Sequence, residues 1–227
     1  MEEKVNMLET KYSKFLTVLL IIIIVAVVGL GGYLGYSYFH KAKIENESNQ
    51  YVQTFVEEVG NQTEGNQTEN PESIANAINE TVNTHSDGSV KQYKGYNVIG
   101  TIEIPKTNIK YPILQDPPTV KKLETSVVAL YPQNAVMNSV GNVVIVGHNY
   151  RNGLFFSNNK KLANGDTIFI TDLYGKRVAY KVYNVFLTKE NDTSFYNRDT
   201  NGKKEITLSS CTDASNDQRI IIQAVED

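Results

Sequence analysis

The sequence has few of the residues that build disulfide staples, metal sites and nucleic-acid interfaces. It contains one cysteine, three histidines and no tryptophan among 227 residues. A single cysteine excludes an intrachain disulfide, and a thiol without a pairing partner is a candidate reactive group. No basic stripe with interleaved aromatic residues occurs, which argues against nucleic acid as a partner. No cluster of metal-ligating residues is evident, so we expect neither a metal nor another cofactor.

Charge is unevenly distributed along the chain. The formal net charge of -3 arises in residues 45–94, where nine acidic residues stand against two lysines. This segment is rich in Asn, Gln, Glu, Thr and Ser and repeats GNQTE at 60–64 and 65–69. Burial of the little apolar surface in such a segment gains too little free energy to offset the entropy cost of ordering the chain. We therefore expect residues 40–94 to form a polar, flexible stalk, with one short helical segment at 73–84.

Charged residues are missing from a long stretch near the N-terminus. Residues 15–34 read FLTVLLIIIIVAVVGLGGYL, and about 20 apolar residues suffice to cross a bilayer. Tyr and Phe residues follow, as in an interfacial aromatic belt, instead of a small-residue cleavage site. We expect a transmembrane signal-anchor at 15–39 after a cytoplasmic N-terminus at 1–14. No second apolar segment follows, so a single-pass protein with an extracytoplasmic C-terminal domain is predicted.

From residue 95 the sequence changes to short β-branched and aromatic runs separated by turn residues. These runs favour strands in an antiparallel sheet that closes into a barrel or sandwich. Short helical pieces are expected at 120–123 and 154–162. Residues 95–227 are numerous enough for an independent core, so the predicted fold is mainly β. The predicted strands are 100–104, 111–114, 142–146, 167–171, 177–187, 205–210 and 219–225.

Three polar residues stand at the ends of predicted strands. His148 follows the apolar run NVVIV, Cys211 ends EITLSSC, and Arg219 begins RIIIQA. If the last two strands pair antiparallel through residues 212–218, Cys211 and Arg219 lie on neighbouring strands with opposed Cα atoms about 4.5–5.5 Å apart. A guanidinium there can stabilise the oxygen of a carbonyl that the thiol attacks.

Thiol chemistry also needs a group that accepts and returns a proton. His40 lies at the membrane edge and His85 in the predicted stalk, so His148 is the one histidine within the folded domain. Strand alternation places Cys211 on the same face as the hydroxyl-bearing residues Thr207 and Ser209, which favours an exposed thiol. Each of these residues taken singly is more often structural than catalytic.

In combination the residues resemble the sortase family. Sortases carry a TLxTC strand, a following strand that opens with Arg, and a Gly-His pair after an earlier apolar strand. The resemblance covers about residues 96–225. The matching segments here are TLSSC at 207–211, QRIIIQA around Arg219, VIVGHNY around His148, IGTIEIPKTNIKYPIL at 99–114 and LANGD at 162–166.

The resemblance implies a closed antiparallel or mixed β-barrel with short connecting helices, preceded by one transmembrane helix. It implies that Cys211 is the nucleophile, His148 the acid and base, and Arg219 the group that stabilises the oxyanion. Ser210 stands where the family usually has Thr, so a substrate-binding role for its hydroxyl is expected.

The implied reaction is transpeptidation at the cell membrane. Cys211 would cleave an LPxTG-like sorting signal of a surface protein through a thioester, and an amine of a cell-wall precursor would receive the protein. The segment Asp116-Pro117-Pro118 lacks the aromatic residue of the lid of pilin-polymerising sortases, so that class is disfavoured. Some sortases bind calcium, but Glu190 and Asp192 are too few for a site that uses about six to eight oxygen ligands. We therefore expect calcium-independent activity.

Two alternatives remain open. One is a membrane-tethered, non-catalytic β-module that binds a wall or surface partner, which explains the anchor, stalk and barrel without a reactive thiol. The other is a hydrolytic cysteine protease, for which the sequence offers no identifiable Asn or Asp to orient the histidine.

Overall fold

The computed structural model describes residues 2–64 and 90–227. It divides into two compact units, Met1–Ile44 and Glu45–Asp227. The helical segment expected at 73–84 lies outside the described residues. The mainly β fold of the second unit is confirmed.

The N-terminal unit consists of helix α1, which begins at Glu2 and continues to Glu64 in the second unit. Its apolar side chains between residues 15 and 39 are exposed on all sides. Among the described residues, this helix alone is long and apolar enough to cross a membrane, with a mean hydropathy of 2.9 over a window that is not buried. A helix that is apolar all round suits a lipid environment, so α1 is compatible with a membrane anchor.

The end of α1 belongs to the folded domain, which differs from the flexible stalk expected there. Val52, Phe55 and Val59 are buried, and their spacing of three and four residues places them on one helical face. Ser48 donates a hydrogen bond from Oγ to the carbonyl of Lys110 at 2.8 Å. Although the segment is polar in composition, its few apolar residues lie on one face of α1 and pack this end of the helix against the barrel.

In the part of the chain that the structure describes, nine strands make up one sheet in the order β1-β2-β3-β4-β5-β8-β9-β7-β6, and a β2–β6 pairing closes β2 to β9 into a barrel. The pairs β3–β4 and β5–β8 are parallel, and the other pairs are antiparallel. The strands are β1 (Gln92–Tyr93), β2 (Tyr96–Ile104), β3 (Ile109–Leu114), β4 (Val127–Tyr131), β5 (Gly141–Val146), β6 (Thr167–Asp172), β7 (Arg177–Lys189), β8 (Lys204–Cys211) and β9 (Gln218–Glu226).

Two details differ from the sequence-based expectation. Strands β1 and β4 were missed, because β1 has only two residues and the short continuous apolar run VVALY of β4 cannot be told from a buried helical segment by periodicity. The helix expected at 154–162 is reduced to one 3-10 turn at Asn159–Lys161, since Phe155 has a positive φ of 49° that no α-helix accommodates. The other connecting helix, α2, forms at Val120–Thr125, and a further 3-10 turn lies at Pro105–Thr107.

The order of the strands positions the candidate residues. Strands β5 and β8 run parallel and side by side, so their C-terminal ends meet at the same edge of the barrel. Strand β9 runs antiparallel to β8 and therefore starts at that edge. The residue after β5, the end of β8 and the start of β9 are thus brought together.

Candidate active site

Cys211 and Arg219 are directly opposed in the ladder between β8 and β9, which confirms the pairing predicted from the sequence. Residues 212–217 connect the two strands. The thiol of Cys211 is free and partly exposed. Its Sγ lies 3.9 Å from the carbonyl oxygen of Asn216, and the Nη1 of Arg219 donates to the same oxygen. The thiol and the guanidinium therefore contact one shared acceptor.

His148 is placed by the glycine that precedes it. The N–H of Gly147 donates to the carbonyl of Ser209 at 3.2 Å, which extends the β5–β8 ladder by one residue. A Cβ at position 147 would lie 2.8 Å from the ring of Phe156 and 3.0 Å from a methyl group of Val127. Only glycine allows this close approach, so the Gly-His sequence brings the imidazole beside the β8 strand end.

One cleft of about 260 Å³ contains all four residues predicted from the sequence: His148, Ser210, Cys211 and Arg219. The hydroxyl of Ser210 is buried and has no hydrogen-bond partner among the described residues. A buried polar group without a partner is uncommon in folded proteins. The remaining walls are Pro118, Leu123, Leu130, Val146, Gly147, Glu190, Asp192, Phe195, Tyr196 and Ser209.

The face that Cys211 shares with Thr207 and Ser209 is not open to solvent, although its hydroxyl groups suggested that it would be. Both of these residues are buried, because the β7–β8 loop, residues 190–203, covers the strand. The side-chain amide of Asn142 donates to the carbonyls of residues 195–196 at 3.0 and 2.9 Å and accepts a hydrogen bond from Thr207 at 2.8 Å. Cys211 is partly exposed because it lies at the rim of this cover.

The electrostatics of His148 are set by burial and one carboxylate. Burial lowers the pKa of His148, and the charge of Glu124 on α2 opposes part of that shift. The imidazole ring packs against Tyr150 with 4.8 Å between ring centroids. A lowered pKa favours the neutral imidazole near pH 7, which is the form that accepts a proton.

Arg219 is held by acceptors on two sides. Its Nη1 donates to the carbonyls of Asn216 and Gln218, and its Nη2 lies 3.5 Å from Oε2 of Glu190. The guanidinium borders the cleft with its fork of donors beside the thiol. A thiol, an imidazole and a guanidinium that line one cleft are chemically able to act as nucleophile, proton acceptor and oxyanion donor in acyl transfer.

The two acidic residues at the cleft are used in protein contacts. Glu190 pairs with Arg219. Asp192 accepts hydrogen bonds from the hydroxyl of Thr188 and from the N–H of Ser194. Within the described ranges, no group of three or more His, Cys, Asp or Glu residues is arranged to hold a metal ion.

The sequence analysis missed residues that support the site. Asn142, a polar residue within the otherwise apolar strand β5, ties the β7–β8 loop to the barrel, and a buried polar residue in such a strand is the signal that could have identified it. Asn149 and Arg151 follow His148 in the run HNYRN, and their side chains donate hydrogen bonds to the carbonyls of Cys211 and Asp213, respectively. Glu124 could not be found by pattern, because it approaches His148 through the tertiary fold.

A family model described as Sortase domain matches residues 102–227, and no curated protein sequence matches the chain. The similar solved structures include a Clostridium perfringens sortase D5 transpeptidase, with 24% identity over 78% of this chain and 99% of that chain, at a TM-score of 0.54. Sortase A from Listeria monocytogenes is 22% identical over 57% of this chain and 87% of that chain, at a TM-score of 0.51.

Sortase C from Clostridium perfringens, solved with a C-terminal cell wall sorting motif, is 20% identical over 86% of this chain and 98% of that chain, at a TM-score of 0.51. The likeness to sortases A, C and D is nearly equal, so it does not assign a class. The family model covers more than half of the chain and coincides with the barrel and its cleft. The chain therefore belongs to the sortase family of cysteine transpeptidases.

Proposed function

We propose that this sortase cleaves an LPxTG-like sorting signal through a thioester on Cys211 and transfers the client protein to a cell-wall amine. The observation that carries the proposal is the convergence of Cys211, His148 and Arg219 on one cleft at the barrel edge. A related sortase C was solved with a cell wall sorting motif, which supports a peptide of this kind as the ligand.

In the first half-reaction, His148 takes the proton of the Cys211 thiol, the thiolate attacks the carbonyl carbon of the Thr-Gly bond, and the carbonyl oxygen becomes an oxyanion. Arg219 donates hydrogen bonds to that oxygen, which requires it to exchange part of its contact with the Asn216 carbonyl. The intermediate collapses as the C–N bond breaks and His148 gives a proton to the departing glycine amine. The client remains bound as a thioester.

In the second half-reaction, an amine of a cell-wall precursor attacks the thioester carbon. His148 accepts the proton of the incoming amine, the C–S bond breaks, and the thiolate of Cys211 is restored. A new amide joins the client to the wall precursor. Attack by water in place of the amine gives hydrolysis.

The cleft walls suit the signal. Leu130 and Tyr196, which are partly exposed, offer apolar and aromatic surface for the Leu-Pro part of the peptide. The unpaired hydroxyl of Ser210 is proposed to contact the substrate. Because Pro118 borders the cleft in the segment without the lid aromatic, we propose a class other than the pilin-polymerising one.

The proposed location is the cell membrane. Residues 15–39 of α1 would span the bilayer once, with residues 1–14 in the cytoplasm and the barrel outside. Tethering the enzyme where clients emerge raises their effective concentration. Protease added to intact cells should remove the barrel domain, and full protection would refute this topology.

The test uses residues 45–227 with a panel of LPxTG-type peptides, with and without amine acceptors, read by mass spectrometry. A transpeptidase gives a product that contains the acceptor, whereas a hydrolytic protease gives the same cleaved peptide regardless of the amine. A non-catalytic module gives no product and slow thiol labelling that is indifferent to replacement of His148. Activity is expected to be equal with calcium and with a chelator, and Cys211→Ala serves as the inactive control.

A further inference from the structure

Two loops meet beside the thiol, and side chains of one hold the backbone of the other. The histidine loop, residues 147–161, follows β5. The cysteine–arginine loop, residues 212–217, joins β8 to β9 and consists almost entirely of turn-forming residues. The backbone ladder between β5 and β8 reaches Gly147 and Ser209. Beyond that point the two loops are linked through side chains of the histidine loop.

The first link is Asn149, the residue next to His148. Its Nδ2 donates to the carbonyl of Cys211 and to Oδ1 of Asp213, both at 2.9 Å. Its Oδ1 accepts the backbone N–H of Arg151 at 2.9 Å. One amide thus connects the backbone beside the imidazole to the backbone of the nucleophile.

The second link is Arg151, whose guanidinium binds three acceptors along the cysteine–arginine loop. Its Nε donates to the carbonyl of Asp213 at 2.8 Å, and its Nη2 donates to the carbonyl of Thr212 at 3.3 Å and to Oδ1 of Asn216 at 3.2 Å. A planar fork of fixed donors suits such a set of acceptors, whereas an ammonium offers only a point charge. Arg151 adopts the left-handed region, with φ of 58°, in a turn that the Asn149 side chain caps. Lys160 also pairs with Asp213.

The position of Asn216 matters because its carbonyl is the acceptor that Cys211 and Arg219 share. Arg151 holds the side chain of the same residue. A shift of this loop would therefore change the positions of the Cys211 thiol and the Arg219 guanidinium, and with them the distance between the two groups. We propose that Asn149 and Arg151 are positioning residues, which fix the Cys211–Arg219 pair relative to His148. This inference rests on the proposed transpeptidase function.

The test compares Asn149→Ala, Arg151→Ala and Arg151→Lys with Lys161→Ala, a matched control whose cation, among the described residues, forms no hydrogen bond or ion pair with the cysteine–arginine loop, unlike its neighbour Lys160. The readouts are kcat and KM for an LPxTG-type peptide, the pH profile of Cys211 labelling by a neutral haloacetamide, and thermal melting. Misplacement of catalytic groups by about 1 Å can cost about 100-fold in rate. We expect kcat to fall about 10- to 100-fold for both alanine variants, with KM nearly unchanged and the fold retained.

Asn149→Ala separates positioning from charge, because it alters no charge near the thiol. Its loss of kcat should approach that of Arg151→Ala, and Arg151→Lys should restore only part of the rate. Wild-type kcat in Asn149→Ala, or full rescue by Arg151→Lys, would overturn the inference.

If the unmodified enzyme processes no peptide in the panel, the proposed function itself fails. The inference is then judged on labelling. The two alanine variants must still change the labelling profile of Cys211 while Lys161→Ala does not, and three identical profiles contradict the proposed positioning role.

Discussion

The docking of α1 onto the barrel makes a stability prediction that does not depend on the reaction. Phe55 is 2% exposed and packs in a cluster with Val98, Leu114 and Val128. Truncating a buried Phe to Ala removes its transfer free energy and leaves a cavity, which together cost about 3–5 kcal/mol. A helix on the outside of a barrel can move to close part of the cavity, so we expect Phe55→Ala to cost about 3 kcal/mol. For a domain of this size, that corresponds to a Tm lower by about 6–12 °C.

The assay is thermal and urea unfolding of residues 45–227, followed by circular dichroism. The control is Val56→Ala on the neighbouring helix position, where the side chain is 39% exposed and a substitution should change stability by less than about 0.5 kcal/mol. If Phe55→Ala unfolds at the same temperature as Val56→Ala, residues 45–60 do not dock, and the flexible stalk expected from composition is the better description.

The remaining predictions concern the site. Gly147→Ala would press a methyl group against the ring of Phe156, which should lower stability by about 1–3 kcal/mol and displace His148. We expect kcat to fall at least about 10-fold, and unchanged kinetics would refute the role of the close approach. Asn142→Ala leaves buried carbonyls of the β7–β8 loop unpaired, so KM for a sorting peptide should rise more than kcat falls; a change in kcat alone would contradict this. Glu124→Gln removes the carboxylate whose charge partly offsets the lowering of the His148 pKa by burial. NMR titration of the imidazole should therefore find a still lower pKa, and a higher pKa would contradict this role of Glu124. Burial already holds the pKa of His148 below its unfolded value of about 6.5. Protonation of His148 therefore favours the unfolded chain, so this group lowers the stability of the domain as pH falls through about 6.5.

Local pattern predicted the parts of the site that depend on neighbouring segments. The turn-forming run between Cys211 and Arg219 predicted a hairpin-like pairing, and the two residues are opposed in the ladder. Apolar runs located seven of the nine strands, because β-branched residues and flanking turns mark them individually.

Pattern alone could not predict the arrangements that depend on distant segments. The parallel pairing of β5 with β8, which brings His148 to the thiol, leaves no local signature because it is set by the closure of the barrel. Likewise the burial of Thr207 depends on a loop that covers it, so its hydroxyl, which suggested a solvated face, is bonded to Asn142 instead. The docked part of α1 was missed because its apolar positions are few within a polar composition.

The covalent intermediate is the most direct test of the central claim. Residues 45–227 are incubated with an LPxTG-type peptide without an amine acceptor, and the intact mass of the protein is measured over time. The account predicts an adduct on Cys211 with the mass of the peptide cut after Thr, which disappears on addition of an amine and is absent from Cys211→Ala. Turnover by Cys211→Ala at the wild-type rate, or the lack of any adduct across the peptide panel, would contradict it.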